Sequence, residues 1–95
     1  MSDVVTEAVA ALNAKLSGGF DGTAKFDIEG EGSIIIDAHG ARAGDDDADV
    51  TLMASTETFK AILDGEMNPT TAFMTGKLTV DGDMGQAMKL SSVLS

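Results

Sequence analysis

The 95-residue chain is long enough for one domain with a single core, and its apolar content of 43% excludes wholesale disorder. Sixteen acidic residues against six basic ones give a formal charge of −10, which argues against nucleic acid as a partner and against attraction to acidic membranes. The absence of cysteine excludes disulfides, thiolate nucleophiles and thiolate metal sites, and it fits a reducing compartment.

The first predicted element is an amphipathic helix over residues 4–16. Its apolar residues recur at helical spacing, Ser2 and Asp3 precede it as capping candidates, and Gly18-Gly19 ends the pattern. The segment lacks the basic start and continuous apolar run of a signal peptide, and no window of the chain approaches the ~20 apolar residues of a membrane span. These features predict a cytoplasmic protein without stable membrane insertion.

Three strands are predicted next, because the apolar period changes from helical to twofold. "GTAKFDIEG" (residues 22–30) and "SIIIDA" (33–38) predict two strands joined by a tight hairpin, and "HGARAG" (39–44) predicts a turn into a short third strand. Ile35 falls on the opposite face from the isoleucines beside it. That face therefore needs partial cover, for which the first helix is the candidate.

Five further elements are predicted in the second half, each bounded by a turn or a capping residue. They are a strand over residues 50–54 after the acidic loop 45–49, a helix between Ser55 and Gly65, a short helix from Asn68-Pro69 to Gly76, a strand over residues 77–82, and a final helix capped by Asp83. The order α-β-β-β-β-α-α-β-α predicts one α+β domain over residues 1–95, with a three-strand antiparallel meander followed by a crossover.

No motif in the sequence carries catalytic or metal-binding chemistry. His39, the single histidine, has no nucleophile or ligand pattern around it and is interpreted as a solvated turn residue. The run of residues 45–49 fails as a calcium loop, because Val50 stands where glycine is required and Thr56 where glutamate is required. "GEG" (30–32) predicts a hairpin rather than a dinucleotide fingerprint. We therefore expect no catalytic residue, no metal and no cofactor.

Large flexible apolar residues are in surplus on the predicted helices of the second half. For any one methionine, ordinary core is the competing interpretation. Together, methionine-rich short helices broken by glycine are typical of the wall of an adaptable apolar cavity. With inward-facing strand residues added, the predicted ligand-binding wall consists of Phe26, Ile34, Ile36, Leu52, Phe59, Ile62, Leu63, Met67, Phe73, Met74, Leu78, Val80, Met84, Met88 and Leu90.

Two segments of the second half carry a family resemblance. "ADVTLMAS" (residues 48–55) and "GEMNPTTAFMTGKLTVDGDMGQAMKL" (65–90) resemble the sterol carrier protein type 2 family. The N-P-x-x-A-F-x-x-G-K-L run, followed eight residues after Leu78 by Q-A-M-K-L, is long and specific. The resemblance covers nearly the whole chain and is weaker between Ser17 and Asp47.

The resemblance implies a five-stranded mixed sheet covered by helices, with the fourth strand beside the first. It also implies an apolar tunnel between sheet and helices that holds fatty acids, fatty acyl-CoA esters, phospholipids or sterols. The chain differs from peroxisomal members in ending "SSVLS", without their targeting tripeptide, and from lipid-transferring members in being acidic. A compact acidic domain without the family's C-terminal extension suggests a prokaryotic member, for which fatty-acyl chains are favoured over sterols.

The leading hypothesis is a non-enzymatic carrier for a fatty acid, a fatty acyl-CoA or another lipid. The alternative is an accessory module that sequesters an acyl chain or presents it to a partner enzyme of lipid metabolism, with the acidic surface as the docking face. The third hypothesis is an enzyme, and the sequence lacks the catalytic constellation that an enzyme would need.

Overall fold

The computed structural model describes residues 3–16 and 19–94. Over these residues four helices and five strands follow one another. They are α1 (Asp3–Leu16), β1 (Ala24–Ile28), β2 (Gly32–Asp37), β3 (Gly40–Ala43), β4 (Val50–Ala54), α2 (Thr56–Leu63), α3 (Pro69–Met74), β5 (Leu78–Gly82) and α4 (Met84–Leu94). The predicted order of elements is confirmed, whereas the predicted cap Ser2 and the helix stop at Gly18 lie outside the described residues.

The described strands form one mixed sheet with the order β3-β2-β1-β4-β5. β1, β2 and β3 make the predicted antiparallel meander, and β4 pairs in parallel with β1 on its other side. β5 pairs antiparallel with β4 and forms one edge. Because parallel neighbours cannot be joined by a tight turn, the chain must cross the sheet to reach β4. The predicted α+β class with a five-stranded mixed sheet is confirmed.

The described helices pack together on one face of this sheet, where their buried apolar residues form a continuous core with the inward-facing strand residues. α1 lies over β3 and β2, whereas α3 and α4 lie toward β4 and β5. In α1 the buried residues include Leu12 and Leu16, which share the core with Ile34 and Ile36 of β2. None of the described helices is long and apolar enough to cross a bilayer.

Ile35 is buried on the opposite face of the sheet, and α1 does not cover it, which corrects the expectation from the sequence. The β3–β4 connection covers it instead, because that connection has to cross β2 and β1. A Cβ atom added at Gly44 would lie 3.4 Å from the Ile35 side chain. The Lys25 ammonium donates to Asp45 at 2.8 Å and so fixes the connection to β1.

Three polar side chains cap the N-termini of the helices in the second half, as predicted. Ser55 Oγ accepts a hydrogen bond from the backbone of Thr58 at 3.2 Å at the start of α2. The side chains of Asn68 and Asp83 accept backbone N–H bonds in the same way at the starts of α3 and α4, each with a shortest bond of 2.8 Å. These caps satisfy N–H groups that have no partner inside a helix, and they fix where α3 and α4 begin above the sheet.

Candidate functional site

An apolar cavity of about 240 Å³ lies between α3, α4 and the sheet. Its floor comes from β1, β4 and β5, where strand register aligns Phe26 with Leu52 and Leu52 with Val80. Leu78 adds a second floor position on β5, two residues from Val80 and therefore on the same face. Three neighbouring strands thus present a continuous apolar strip to the helices.

The walls of the cavity are single faces of short helices. On α4 the lining residues are spaced by three, four and seven positions, as one helical face requires. On α3 they form two adjacent pairs, one turn apart, and α2 contributes one buried isoleucine. The wall residues are Met84, Ala87, Met88 and Ser91 on α4, Pro69, Thr70, Phe73 and Met74 on α3, and Ile62 on α2.

The outer rim of the cavity is exposed although it is apolar. The side chains of Met74 and Met88 are 78% and 69% exposed, and Phe73 and Met84 are exposed as well. By contrast, the floor residues Phe26 and Leu52 are buried. Methionine has three rotatable side-chain bonds, so a rim of this kind can move aside at little cost. The cavity therefore has a rigid floor and an adaptable mouth.

Nine of the fifteen predicted wall residues line this cavity in the structure. That these nine contact a ligand remains a prediction. They are Phe26, Leu52, Ile62, Phe73, Met74, Leu78, Val80, Met84 and Met88.

The other six predicted wall residues lie elsewhere in the structure. Ile34 and Ile36 are fully buried under α1, and Leu90 is core on the inner side of α4. Phe59 is also core, and its ring contacts the ring of Phe26 edge-on with centroids 4.8 Å apart. The remaining two are half-buried beside the core, namely Leu63 at a depression between α1 and α2 and Met67 at a groove near α2.

Sequence reasoning missed four lining residues, namely Pro69, Thr70, Ala87 and Ser91. The signal for two of them was present, because Ala87 and Ser91 follow Met84 at positions three and seven on one helical face. Pro69 and Thr70 precede Phe73 by four and three residues, which places them on its side of α3. The predicted wall contains only large apolar residues, so these smaller or polar residues were not included in it.

A second and larger opening, a groove of about 830 Å³, lies where the outer face of the sheet meets the start of α2. Its strand residues include Asp27 and Met53, which alternate with the floor residues of the apolar cavity. Glu29 and Glu57 also line it, so the groove is acidic and open to solvent. Lys77, Met53 and Met67 line it as well, so its wall mixes charged and apolar side chains, unlike the wall of the apolar cavity.

Charged groups on the described residues pair outside the apolar cavity. The Arg42 guanidinium donates to Asp37 at 2.7 Å and, with the backbone N–H of His39, holds the pKa of the Asp37 carboxyl below its ordinary value. The hydrogen bond to Asp45 raises the pKa of Lys25. His39 is exposed in the β2–β3 turn, and no three metal-ligating side chains are grouped within the described part of the chain.

Comparisons with known proteins agree with this geometry. The chain is 36% identical over 93 residues to the bovine (Bos taurus) hydroxysteroid dehydrogenase-like protein 2, covering 98% of this chain and 21% of that protein. It is 38% identical over 77 residues to chicken (Gallus gallus) sterol carrier protein 2, covering 80% of this chain and 13% of that protein. The chain thus spans about a fifth or less of the length of these curated relatives.

The fold also matches solved structures. Sterol carrier protein-2 of the mosquito Aedes aegypti, solved in complex with palmitate, superposes with a TM-score of 0.79, at 22% identity over 100% of this chain and 97% of that one. At that identity the likeness shows the fold. The model of the SCP-2 sterol transfer family matches residues 6–95. The chain therefore belongs to the SCP-2 sterol transfer family.

Proposed function

We propose that residues 1–95 act as one non-enzymatic domain that binds and carries a single hydrophobic lipid in the cavity between α3, α4 and the sheet. The observation that carries this proposal is the combination of a continuous apolar floor with an exposed, flexible apolar rim. Exposed methionines around a mouth cost solubility, and occupation of the mouth by an alkyl chain explains why they stand there. The palmitate bound by the mosquito relative supports the same ligand class.

Size and energetics are compatible with an alkyl chain. The cavity of about 240 Å³ is larger than the ~150 Å³ void that holds benzene and smaller than the ~300–1,000 Å³ of typical ligand sites. A long chain must therefore displace the rim methionines, and the cavity would then lengthen into the tunnel that the sequence led us to expect. Burial of sixteen carbons contributes about 12 kcal/mol gross, enough for micromolar affinity after the cost of ordering the chain.

Calorimetric melting tests the proposal with a fatty acid, a fatty acyl-CoA and a fatty alcohol of equal chain length. A ligand at a hundred times its dissociation constant adds about 2.7 kcal/mol of stability, which raises the melting temperature by about 11–22 °C for a domain of this size. The carrier proposal fails if none of the three ligands moves the melting curve at saturation.

Two variants that each introduce a carboxylate on a helix test whether the lipid binds in this cavity. Met88→Asp puts a carboxylate at the cavity rim, and since Met88 is exposed the variant should still fold. We expect at least a tenfold loss of affinity, which halves the thermal shift or reduces it further. Thr71→Asp is the matched control, because Thr71 lies on the exposed side of α3 and does not line the cavity. The same thermal shift in Met88→Asp as in the control would contradict the assignment of this cavity.

A second candidate function is presentation of a bound acyl chain to a partner enzyme. It is favoured by the relatives in which the matching segment is about a fifth of a longer, dehydrogenase-like protein. The two functions differ in release of the ligand. A carrier hands a fluorescent acyl chain to acceptor vesicles spontaneously, whereas a presenting module retains it until the partner is added. The absence of cysteine fits the reducing cytoplasm, which is the compartment we propose for either function.

A further inference from the structure

The most exposed methionine side chains of the described residues stand at the mouth of the apolar cavity. Met74, Met84 and Met88 line it, and all three are exposed. Met53 and Met67 are half-buried and line the groove near the start of α2 instead. The chain has no cysteine, so its thioethers are the only sulfur atoms that a peroxide can oxidise. Because accessibility governs this oxidation, we expect it to begin at the cavity mouth.

Oxidation of a thioether by hydrogen peroxide needs no catalytic residue. The sulfur lone pair attacks one peroxide oxygen, so that an S–O bond forms and the O–O bond breaks. The proton of the transferred oxygen passes to the leaving oxygen, which departs as water. Sulfur loses two electrons and the peroxide gains them. The product is methionine sulfoxide, a polar side chain in place of an apolar one.

Three sulfoxides at this mouth would act on lipid binding and leave the core intact. The core of the described residues includes none of the three methionines. The lining side chains carry hydrogen-bonding groups only at Thr70 and Ser91, whose oxygens lie 3.2 Å apart and pair with each other. A sulfoxide oxygen that stays in the wall therefore loses its water without replacement when a lipid covers it. One that turns to solvent takes its side chain away from the lipid and leaves the alkyl chain in water.

We propose that Met74, Met84 and Met88 form a site of modification by peroxide, and that their conversion to sulfoxides weakens lipid binding without unfolding the domain. This inference rests on the proposed carrier function and adds the regulation of the same site. Because a bound lipid covers the rim, the loaded carrier is oxidised more slowly than the empty one. Methionine sulfoxide reductases reverse the change: the oxygen leaves as water, and a dithiol supplies the two electrons and the protons.

Peptide mass spectrometry of the domain after graded exposure to hydrogen peroxide tests the site. We expect the three rim methionines to form sulfoxide at least about threefold faster than Met53 and Met67. The tightest binder among palmitate, palmitoyl-CoA and hexadecanol, at ten times its dissociation constant, should slow the rim about tenfold, since about a tenth of the protein stays empty. Equal rates at the rim and the groove, or no protection by a lipid that binds, overturn the inference alone. Failure of all three lipids to bind overturns the carrier function as well.

Leucine variants assign the loss of binding to the rim, because leucine is close to methionine in volume and is not oxidised by peroxide. Peroxide should weaken lipid binding by the wild type at least about tenfold, and sulfoxide reductases should restore it. The triple variant Met74→Leu, Met84→Leu, Met88→Leu should show affinities before and after peroxide that agree within about twofold. The matched control Met53→Leu, Met67→Leu should lose as much as the wild type. An equal loss in the triple variant, or no recovery with the reductases, overturns the inference.

Calorimetric melting without lipid separates loss of the site from damage to the fold. The oxidised wild type should melt within about 4 °C of the untreated protein, because changes at exposed side chains outside the core have small effects on stability. A larger fall in melting temperature would show that oxidation unfolds the domain, and would overturn the proposed regulation.

Discussion

The two ends of the helical layer are packed differently on the same sheet. At the closed end, α1 covers β2 and β3, and residues such as Leu12 and Ile36 are fully buried. At the open end, α3 and α4 face β4 and β5 across a cavity, and Met74 and Met88 remain exposed. The comparison indicates that the closed end supplies stability, whereas the open end gives up packing where the cavity lies.

The residue types at the two ends explain this difference. The closed end uses leucine and isoleucine, which have few rotamers and fill a core tightly. The open end uses methionine, whose unbranched thioether adapts to changing contacts, on a helix, α3, of only six residues. Segment 67–95, which contributes α3, β5 and α4 to the open end, is neutral, whereas segment 1–66 carries the whole net charge of −10.

The largest expected effect on stability comes from truncating a core side chain at the closed end, compared with the same truncation at the open end. Leu12→Ala should lower the free energy of unfolding by about 2–5 kcal/mol, since it removes a fully buried side chain from the closed end. Met74→Ala at the open end should change it by less than about 0.5 kcal/mol, because Met74 is mostly exposed. Urea denaturation of the ligand-free variants measures both. Similar losses would show that the ends do not differ in packing.

A smaller loss is expected where β5 meets the start of α4. Gly82 has φ +113°, and a Cβ atom added there would lie 2.5 Å from the carbonyl oxygen of Asp49. Gly82→Ala should therefore cost about 2–3 kcal/mol through strain and contact with the backbone. Gly65→Ala, at φ +79° in open space, should cost only about 1 kcal/mol. Denaturation midpoints test the pair, and equal costs would show that close approach to Asp49 does not matter.

Hydrogen exchange should distinguish the ends again when lipid is added. A ligand at ten times its dissociation constant adds about 1.4 kcal/mol and should slow amide exchange in α3 and α4 about tenfold where exchange occurs by local opening. The amides of α1 that exchange by local opening should be unchanged. Mass spectrometry of exchanged peptides measures both regions, and uniform slowing across the chain would mean that lipid stabilises the whole fold rather than the open end.

The smallest effect lies at the closed end and depends on pH. The Arg42 pair lowers the pKa of Asp37 below 3.8, so its contribution to stability is present above pH 3.8 and is lost as the pH falls through the lower folded-state pKa. Arg42→Gln should lower the melting temperature slightly near pH 6, and the difference from wild type should shrink as the pH falls below 3.8. Lys15→Gln is the control, because it removes one positive charge from α1 rather than from the Arg42–Asp37 pair of β3 and β2. An identical pH profile for both variants would contradict the role of the pair.

The local features of the fold were predictable because a few neighbouring residues encode them. The caps Ser55, Asn68 and Asp83 each bond to backbone within three residues, so they could be recognised without tertiary structure. Strand alternation likewise identified Phe26 and Leu52 as inward-facing. The fourth strand beside the first was implied by the family resemblance rather than by local pattern.

The tertiary structure decided which inward-facing residues meet a cavity. Ile36 and Leu52 alternate in the same way along their strands, yet α1 packs on one and the cavity opens over the other. Ile35 is covered by the β3–β4 connection because the strand order sends that connection across its face. Thr70 and Ser91 are 21 residues apart and meet only after α3 and α4 pack. Periodicity reports which side of an element is buried, and long-range packing alone determines what lies against that side.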